Sequence, residues 1–116
     1  MASSESAAGT GGAEVRVVPT GATLLVKSGF YAGLEVTVDR DWVVIGRGRS
    51  ADVVIAEPTI SRAHAAIGFD ERGFFVQDLG STNGTLVNGG RAVRQVLKSG
   101  DEVQMGRLVV GVTLPT

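Results

Sequence analysis

GRGRSADVVIAEPTISRAHAAIGFDERGFFVQDLGSTNGTLVN, residues 46–88, contains three polar segments: Gly46-Arg47-Gly48-Arg49, Ser61-Arg62-Ala63-His64 and Leu79-Gly80-Ser81-Thr82-Asn83-Gly84-Thr85. Between them lie the apolar runs Val53-Val54-Ile55, His64 to Phe69 and Phe74 to Val76. Runs this short, bounded by Gly, Ser, Asn and Asp, predict strands separated by loops. The polar segments are then loop residues, offering guanidinium, hydroxyl, amide and glycine-freed backbone. Loops that join a cation to several neutral donors suit an anion, such as a phosphorylated side chain.

The same pattern extends in both directions. Leu24-Leu25-Val26 reads as a short strand, followed by a Lys27 to Gly33 loop. Leu34-Glu35-Val36-Thr37-Val38 alternates as a half-buried strand does. Asp39-Arg40-Asp41 forms a turn, and Trp42-Val43-Val44-Ile45 predicts a buried strand ending at Gly46. Asp70-Glu71-Arg72-Gly73 and Asn88-Gly89-Gly90 are hairpin signals; the second is flanked by Thr85-Leu86-Val87 and Arg91-Ala92-Val93. Glu102-Val103-Gln104-Met105, Gly106 and a last strand from Leu108 to Val112 close the chain. No window carries a helical stripe. Short strands with a turn signal every eight to twelve residues predict an all-β sandwich or barrel.

At 116 residues the chain fits one domain, with a core large enough to need neither disulfide nor metal. Cysteine is absent, which removes a thiolate nucleophile or thiolate metal site. Eleven basic and twelve acidic residues, scattered along the chain, argue against a nucleic-acid partner. No apolar run reaches the ~20 residues a membrane helix needs, and the first residues lack the form of a secretory signal. A cytoplasmic monomer without cofactor or metal is expected. Residues 1–21 are small, Gly-rich and polar and predict a flexible tail, with the folded domain at 22–116. Within that tail Val15-Arg16-Val17-Val18 has the composition to add to a sheet edge, and Thr10 and Thr20 are candidate kinase targets.

Arg47, between two glycines, presents a planar fork that matches phosphate oxygens at any ordinary pH. Arg49 is the second cation of that loop. The Ser61 hydroxyl and the Arg62 backbone N–H are further donors, although a lone Ser often bonds its own turn. His64, the sole histidine, is expected to brace neighbouring loops rather than bind metal. Thr82 can reach an anion, and the Asn83 amide can pair with an extended peptide main chain. A hydrolase would need Ser61 or Ser81 with His64 and Asp78, and the three-residue spacing of Ser61 and His64 disfavours that geometry. Gly46-Arg47-Gly48 lacks the lysine and helix of a nucleotide phosphate loop. A sandwich that binds partners along a sheet edge, indifferent to phosphate, is the remaining alternative.

The order Gly46-Arg47, Ser61-Arg62-Ala63-His64, Asp78 to Thr85, Val87-Asn88-Gly89 and Leu97 to Gly106 resembles the forkhead-associated domain, over about residues 23–114. The resemblance implies an eleven-stranded β-sandwich whose loops at one end bind phosphothreonine peptides in Ser/Thr kinase signalling. It implies that Arg47 and Ser61 hold the phosphate with help from Thr82 and Arg62. Asn83 fixes the peptide main chain, while Gly46, His64, Gly84 and Asn88 shape loops. Selectivity in that family commonly depends on the residue three after the phosphothreonine. Arg49, Thr59, Ile60 and Arg107 are the candidates for reading flanking residues. The small-residue, Arg-over-Lys composition is similar to that of bacterial members. The partners implied are phosphothreonine proteins or a kinase, including a phosphorylated threonine of the tail.

Overall fold

Period-two alternation needs a partner sheet for its apolar face, and this chain supplies two sheets that cover each other. The computed structural model describes residues 17–115. It contains eleven strands: β1 (Ala22–Val26), β2 (Glu35–Val38), β3 (Trp42–Gly46), β4 (Val53–Val54), β5 (Ala65–Asp70), β6 (Gly73–Asp78), β7 (Thr85–Val87), β8 (Gly90–Arg91), β9 (Arg94–Val96), β10 (Glu102–Met105) and β11 (Leu108–Thr113). A six-stranded sheet runs β2-β1-β11-β10-β7-β8 and a five-stranded sheet β4-β3-β5-β6-β9. Neighbours are antiparallel except β3 and β4. The expected eleven-stranded sandwich is the observed one.

Leu24, Val26, Val103, Met105, Leu108 and Val110 from the first sheet meet Val43, Ile45, Ala65, Ile67, Phe74 and Val76 from the second. The expectation that Trp42 lies in a buried strand is corrected: it is 40% exposed. It pairs with Gly68, which pairs with Phe75, and the two rings lie 6.2 Å apart on the outer face. A side chain at Gly68 would strike the Phe75 ring, so glycine there makes room for the aromatic pair.

Three boundaries differ from the sequence reading. His64 precedes β5 rather than lying in it. Of Arg91-Ala92-Val93 only Arg91 is in a strand, paired through a two-residue turn in which Asn88 and Gly89 take φ of 50° and 85°. β9, Arg94-Gln95-Val96, is a strand that no apolar alternation announces; it is held by pairing with β6. In the segment before β1, Val17 is exposed, Val18 packs against the core and neither is in a strand; Val15, Arg16 and Thr10 lie outside the described residues.

Strand directions sort the loops into two groups. The β1–β2, β3–β4, β4–β5 and β6–β7 loops and the β10–β11 turn share one end. The β2–β3 turn, the β5–β6 and β7–β8 hairpins and the β9–β10 loop share the other.

Candidate functional site

The first end is assembled by backbone contact between loops distant in sequence. Arg47 N–H donates to Ser61 O at 3.0 Å and Gly48 N–H to Arg62 O at 3.0 Å. This approach is why residue 46 is glycine: a Cβ there would lie 1.9 Å from the Arg62 carbonyl oxygen. Arg47 is exposed, and its Nε donates to Ile60 O at 2.9 Å. That single bond fixes the side chain and leaves both terminal guanidinium nitrogens without a partner among the described residues. Arg47 is in no ion pair among them.

His64 is fully buried beneath this rim. Ser61 N–H donates to its Nδ1 at 3.0 Å, so Nδ1 carries no hydrogen. The proton is therefore on Nε2, which donates to Gly84 O at 2.9 Å. One ring thus ties the β4–β5 loop to the β6–β7 loop. With both nitrogens occupied by backbone, His64 is not placed to take a proton from Ser61 Oγ, and the hydrolase arrangement finds no geometric support.

The β6–β7 loop folds around Asp78. Its Oδ1 accepts from Ser81 Oγ at 2.5 Å and Thr85 Oγ1 at 2.8 Å, and its Oδ2 from Gly80 N–H at 3.0 Å and Ser81 N–H at 3.1 Å. Burial raises the carboxyl's proton affinity, but the Ser81 and Thr85 hydroxyls and the two N–H groups outweigh it, holding the group below the ordinary carboxylate range. Ser81 Oγ also accepts from Gly84 N–H at 3.0 Å, and Gly84 takes a φ of 82°. Thr82 and Asn83 are thereby held at an exposed tip. Thr82 N–H donates to Ser61 Oγ at 3.1 Å, which leaves the Ser61 hydroxyl hydrogen and Thr82 Oγ1 unused among the described residues. Arg47, Ser61 and Thr82 converge on one rim, with the exposed Arg62 beside them at Gly48. A guanidinium, two hydroxyls and the Arg62 N–H, unpartnered among the described residues, form a donor-rich, water-accessible surface suited to a dianion.

The rim continues beyond Thr82. Asn83 Nδ2 donates to Thr59 O at 2.7 Å. Thr59 Oγ1 donates to Glu57 Oε2 at 2.7 Å and accepts from Arg107 N–H at 2.8 Å. Ser28 Oγ donates to Arg107 O and accepts from Val109 N–H, each at 3.1 Å. Hydrogen bonding to the Thr59 hydroxyl, then its N–H, keeps Glu57 ionised to lower pH than usual. A cleft of about 250 Å³ opens here, lined by Thr59, Asn83, Gly84, Leu86, Gln104, Gly106 and Arg107.

One sequence expectation changes, and a second residue lies away from the rim. The Ile60 side chain is in the core, 2% exposed, so its contribution to the rim is its carbonyl and not its side chain. Asn88 shapes a loop, but at the opposite end, where its Nδ2 donates to Asp101 at 2.9 Å. Arg49 is exposed in the β3–β4 loop and Arg107 borders the cleft. Sequence reasoning missed Ser28, Gln104 and Arg91, which the fold alone brings to the rim. It gave Asp78 a part only as the acid of the disfavoured hydrolase, although Ser81 and Thr85 at three and seven positions on are a legible signal of a carboxylate-centred loop. Among the described residues no cluster of metal-ligating side chains occurs and no helix is long and apolar enough to cross a membrane.

The sequence profile of the FHA domain matches residues 43–106. The chain is 38% identical to the oxoglutarate dehydrogenase inhibitor of Corynebacterium diphtheriae, over 92% of this chain and 75% of that protein. It is 41% identical to the glycogen accumulation regulator GarA of Mycolicibacterium smegmatis, over 88% of this chain and 66% of that protein. A solved FHA domain, studied for phosphothreonine-dependent interactions, superposes with a TM-score of 0.75 at 29% identity, over 82% of this chain and 97% of that one.

Proposed function

This chain belongs to the FHA domain family, and from that membership we propose that it is a phosphothreonine-binding module of bacterial Ser/Thr kinase signalling. The observation that carries the reading is the convergence of Arg47, Ser61 and Thr82, each with a donor left for a ligand, on one rim. The phosphate sits against the Arg47 guanidinium and the Ser61 and Thr82 hydroxyls, with the Arg62 N–H at its side. Asn83 then holds the peptide main chain, exchanging or sharing its bond to Thr59. The module binds rather than turns over its ligand, works in the cytoplasm, and takes as partners a kinase or the proteins a kinase modifies.

Two or three charge-assisted hydrogen bonds at about 1.5–3 kcal/mol each, less the ordering of a flexible peptide, correspond to roughly micromolar affinity. A phosphorylated tail threonine is a further ligand, and chain length decides which one. β1 enters at the end opposite the rim, ~14 Å away along that strand alone. Thr20, two residues before Ala22, reaches at most ~7 Å, whereas Thr10, eight residues before the core-packed Val18, reaches at most ~27 Å from it. Only Thr10 has the length to serve its own domain.

The test is a titration with matched phosphothreonine and plain threonine peptides. Binding of the first alone is expected, and equal affinity for both would hand the reading to phosphate-independent docking on a sheet edge.

A further inference from the structure

The two sheets end in four edge strands, β2 and β8 in one and β4 and β9 in the other. An edge strand offers unpaired N–H and C=O groups to any further strand, and proteins blunt such edges with shortness, lysine or proline. β4 and β8 are two residues long, and β9 is three with Arg94 at its start. β2, Glu35-Val36-Thr37-Val38, is the longest of the four and contains neither lysine nor proline.

Register decides which of its main-chain groups are open. Val26 N–H donates to Leu34 O at 2.8 Å, so Val26 and Leu34 form a hydrogen-bonded pair. Alternation along an antiparallel ladder then makes Leu24 with Val36 and Ala22 with Val38 the bonded pairs, and leaves Glu35 and Thr37 unbonded to β1. The other side of β1 agrees: Lys27 N–H donates to Val109 O at 2.8 Å, so Leu25 and Thr23 bond β11 instead. The N–H and C=O groups of Glu35 and Thr37 therefore point away from the sheet, without partners among the described residues. Their exposed side chains stand on its outer face, since Val38 is buried and Val36 packs against the core.

A second copy of this chain matches that edge. About a two-fold axis through Val36, Glu35 lies opposite Thr37 of the second copy and Thr37 opposite its Glu35, and four main-chain hydrogen bonds close. The neighbouring registers that keep the same groups facing are disfavoured by charge: one sets Glu35 against Glu35, the other sets Glu35 against Asp39. In the central register the exposed Leu34 falls opposite Val38 of the second copy, and the loop bearing Phe30, 94% exposed, is carried towards its Asp39-Arg40 turn.

We propose that β2 is a self-pairing edge, along which two copies of the chain join antiparallel and merge their six-stranded sheets into one. The two-fold axis reverses strand direction, so the two phosphate rims point to opposite ends of the dimer. A further consequence rests on the phosphothreonine reading: the dimer bridges two phosphorylated partners. A contact of one strand pair falls below the ~1,200 Å² of a standard interface, so the dimer is weak, with a dissociation constant on the order of 0.1–1 mM.

Sedimentation equilibrium of the full chain from about 20 μM to 2 mM tests this without any peptide, so its failure and that of the phosphothreonine reading are separate results. The mean mass is expected to climb from one chain towards two. Thr37→Pro removes an outward N–H and no bond to β1, so it should abolish the climb while leaving the melting temperature nearly in place. Thr37→Glu sets a glutamate opposite Glu35 twice and should weaken the dimer about threefold to tenfold. Thr37→Lys makes two opposite-charge pairs and should tighten it by about the same factor, less so in high salt. The mass of one chain at every concentration overturns the proposal, and so does a dimer indifferent to the charge at position 37. If Thr37→Pro does not fold, the two charge variants decide.

Discussion

At one end of the sandwich Asn88, Lys98 and Asp101 bond to one another; at the other, Arg47, Ser61 and Thr82 keep donors turned to water. In the distal cluster Asp101 is only 7% exposed and accepts from the Lys98 N–H at 2.8 Å and from Asn88 Nδ2 at 2.9 Å. Asn88 Oδ1 in turn accepts from the Glu102 N–H at 2.9 Å. Both carboxylate oxygens of Asp101 and both amide heteroatoms of Asn88 are spent internally. At the rim, bonds of similar length fix side chains by one atom and leave another free: Arg47 by Nε, Ser61 by an acceptor lone pair. A satisfied polar cluster contributes stability, and a half-satisfied exposed one is available to a ligand. Substitutions at the two ends should therefore separate folding from binding.

The strongest challenge to that division comes from Asp78, a rim residue whose four bonds are all internal. Asp78→Ala strands the buried Thr85 hydroxyl and unlaces the loop, and should cost about 3 kcal/mol in urea unfolding. It should weaken the phosphopeptide as well, since Thr82 and Asn83 lose their support. An unchanged unfolding midpoint would mean the loop does not depend on this carboxylate. Arg47→Ala should show the opposite signature. Phosphopeptide affinity falls by about 2 kcal/mol, roughly thirtyfold, because a charge-assisted contact is removed. The melting temperature stays nearly constant, since an exposed side chain with one hydrogen bond is lost. A large drop in stability would reassign Arg47 to the fold.

Asn88→Ala sharpens the comparison from the distal side. It removes the amide bridge between Asp101 and the Glu102 backbone and a residue at home in a positive-φ turn, and should cost about 1–2 kcal/mol of stability. Phosphopeptide affinity should not move. A parallel loss of affinity would show that the two ends are coupled through β7.

What the amino-acid sequence reveals, and what it hides, follows the same line. Strands with alternating burial, such as β10 and β11, are legible because each inward residue is apolar. β9 is not, because Arg94 and Gln95 face water and the strand exists through pairing with β6. Its Arg94 guanidinium stacks 3.8 Å above the Phe75 ring and bonds Asp70 at 2.7 Å, contacts between strands that no local window contains. At the site, Arg47, Ser61 and Thr82 are legible as residue types suited to an anion between strands. Their convergence is carried by backbone contacts such as Gly48 to Arg62, which have no side-chain signature. Arg91 was hidden for a related reason: it lies in a hairpin whose turn reads as structural, and only the cross-strand register sets it over Gly84. Ile60 shows the converse, since proximity to Ser61 in sequence gave no sign that its side chain turns into the core.

The smallest expected effect concerns pH, and it compares one carboxylate from each end. Asp101 is held below the ordinary range first by the Lys98 N–H, against burial, with Asn88 and the Lys98 charge assisting. Asp78 is lowered by its hydroxyl and N–H donors against a larger burial cost. Both would titrate near ~3.9 in the unfolded chain. Below that value the unfolded state binds more protons than the folded one, so protonation favours unfolding. The stability that both groups contribute is complete above about pH 5 and is lost as pH falls through ~4 towards the folded values. Melting temperatures from pH 7 to pH 2.5 should be flat and then decline. Asp101→Asn should shallow the decline while leaving phosphopeptide affinity at pH 7 unchanged; Asp78→Asn should shallow it and weaken the peptide together. A decline identical in Asp101→Asn and the parent would place the acid sensitivity at other groups, Glu57 first, whose carboxylate is also lowered by the Thr59 hydroxyl.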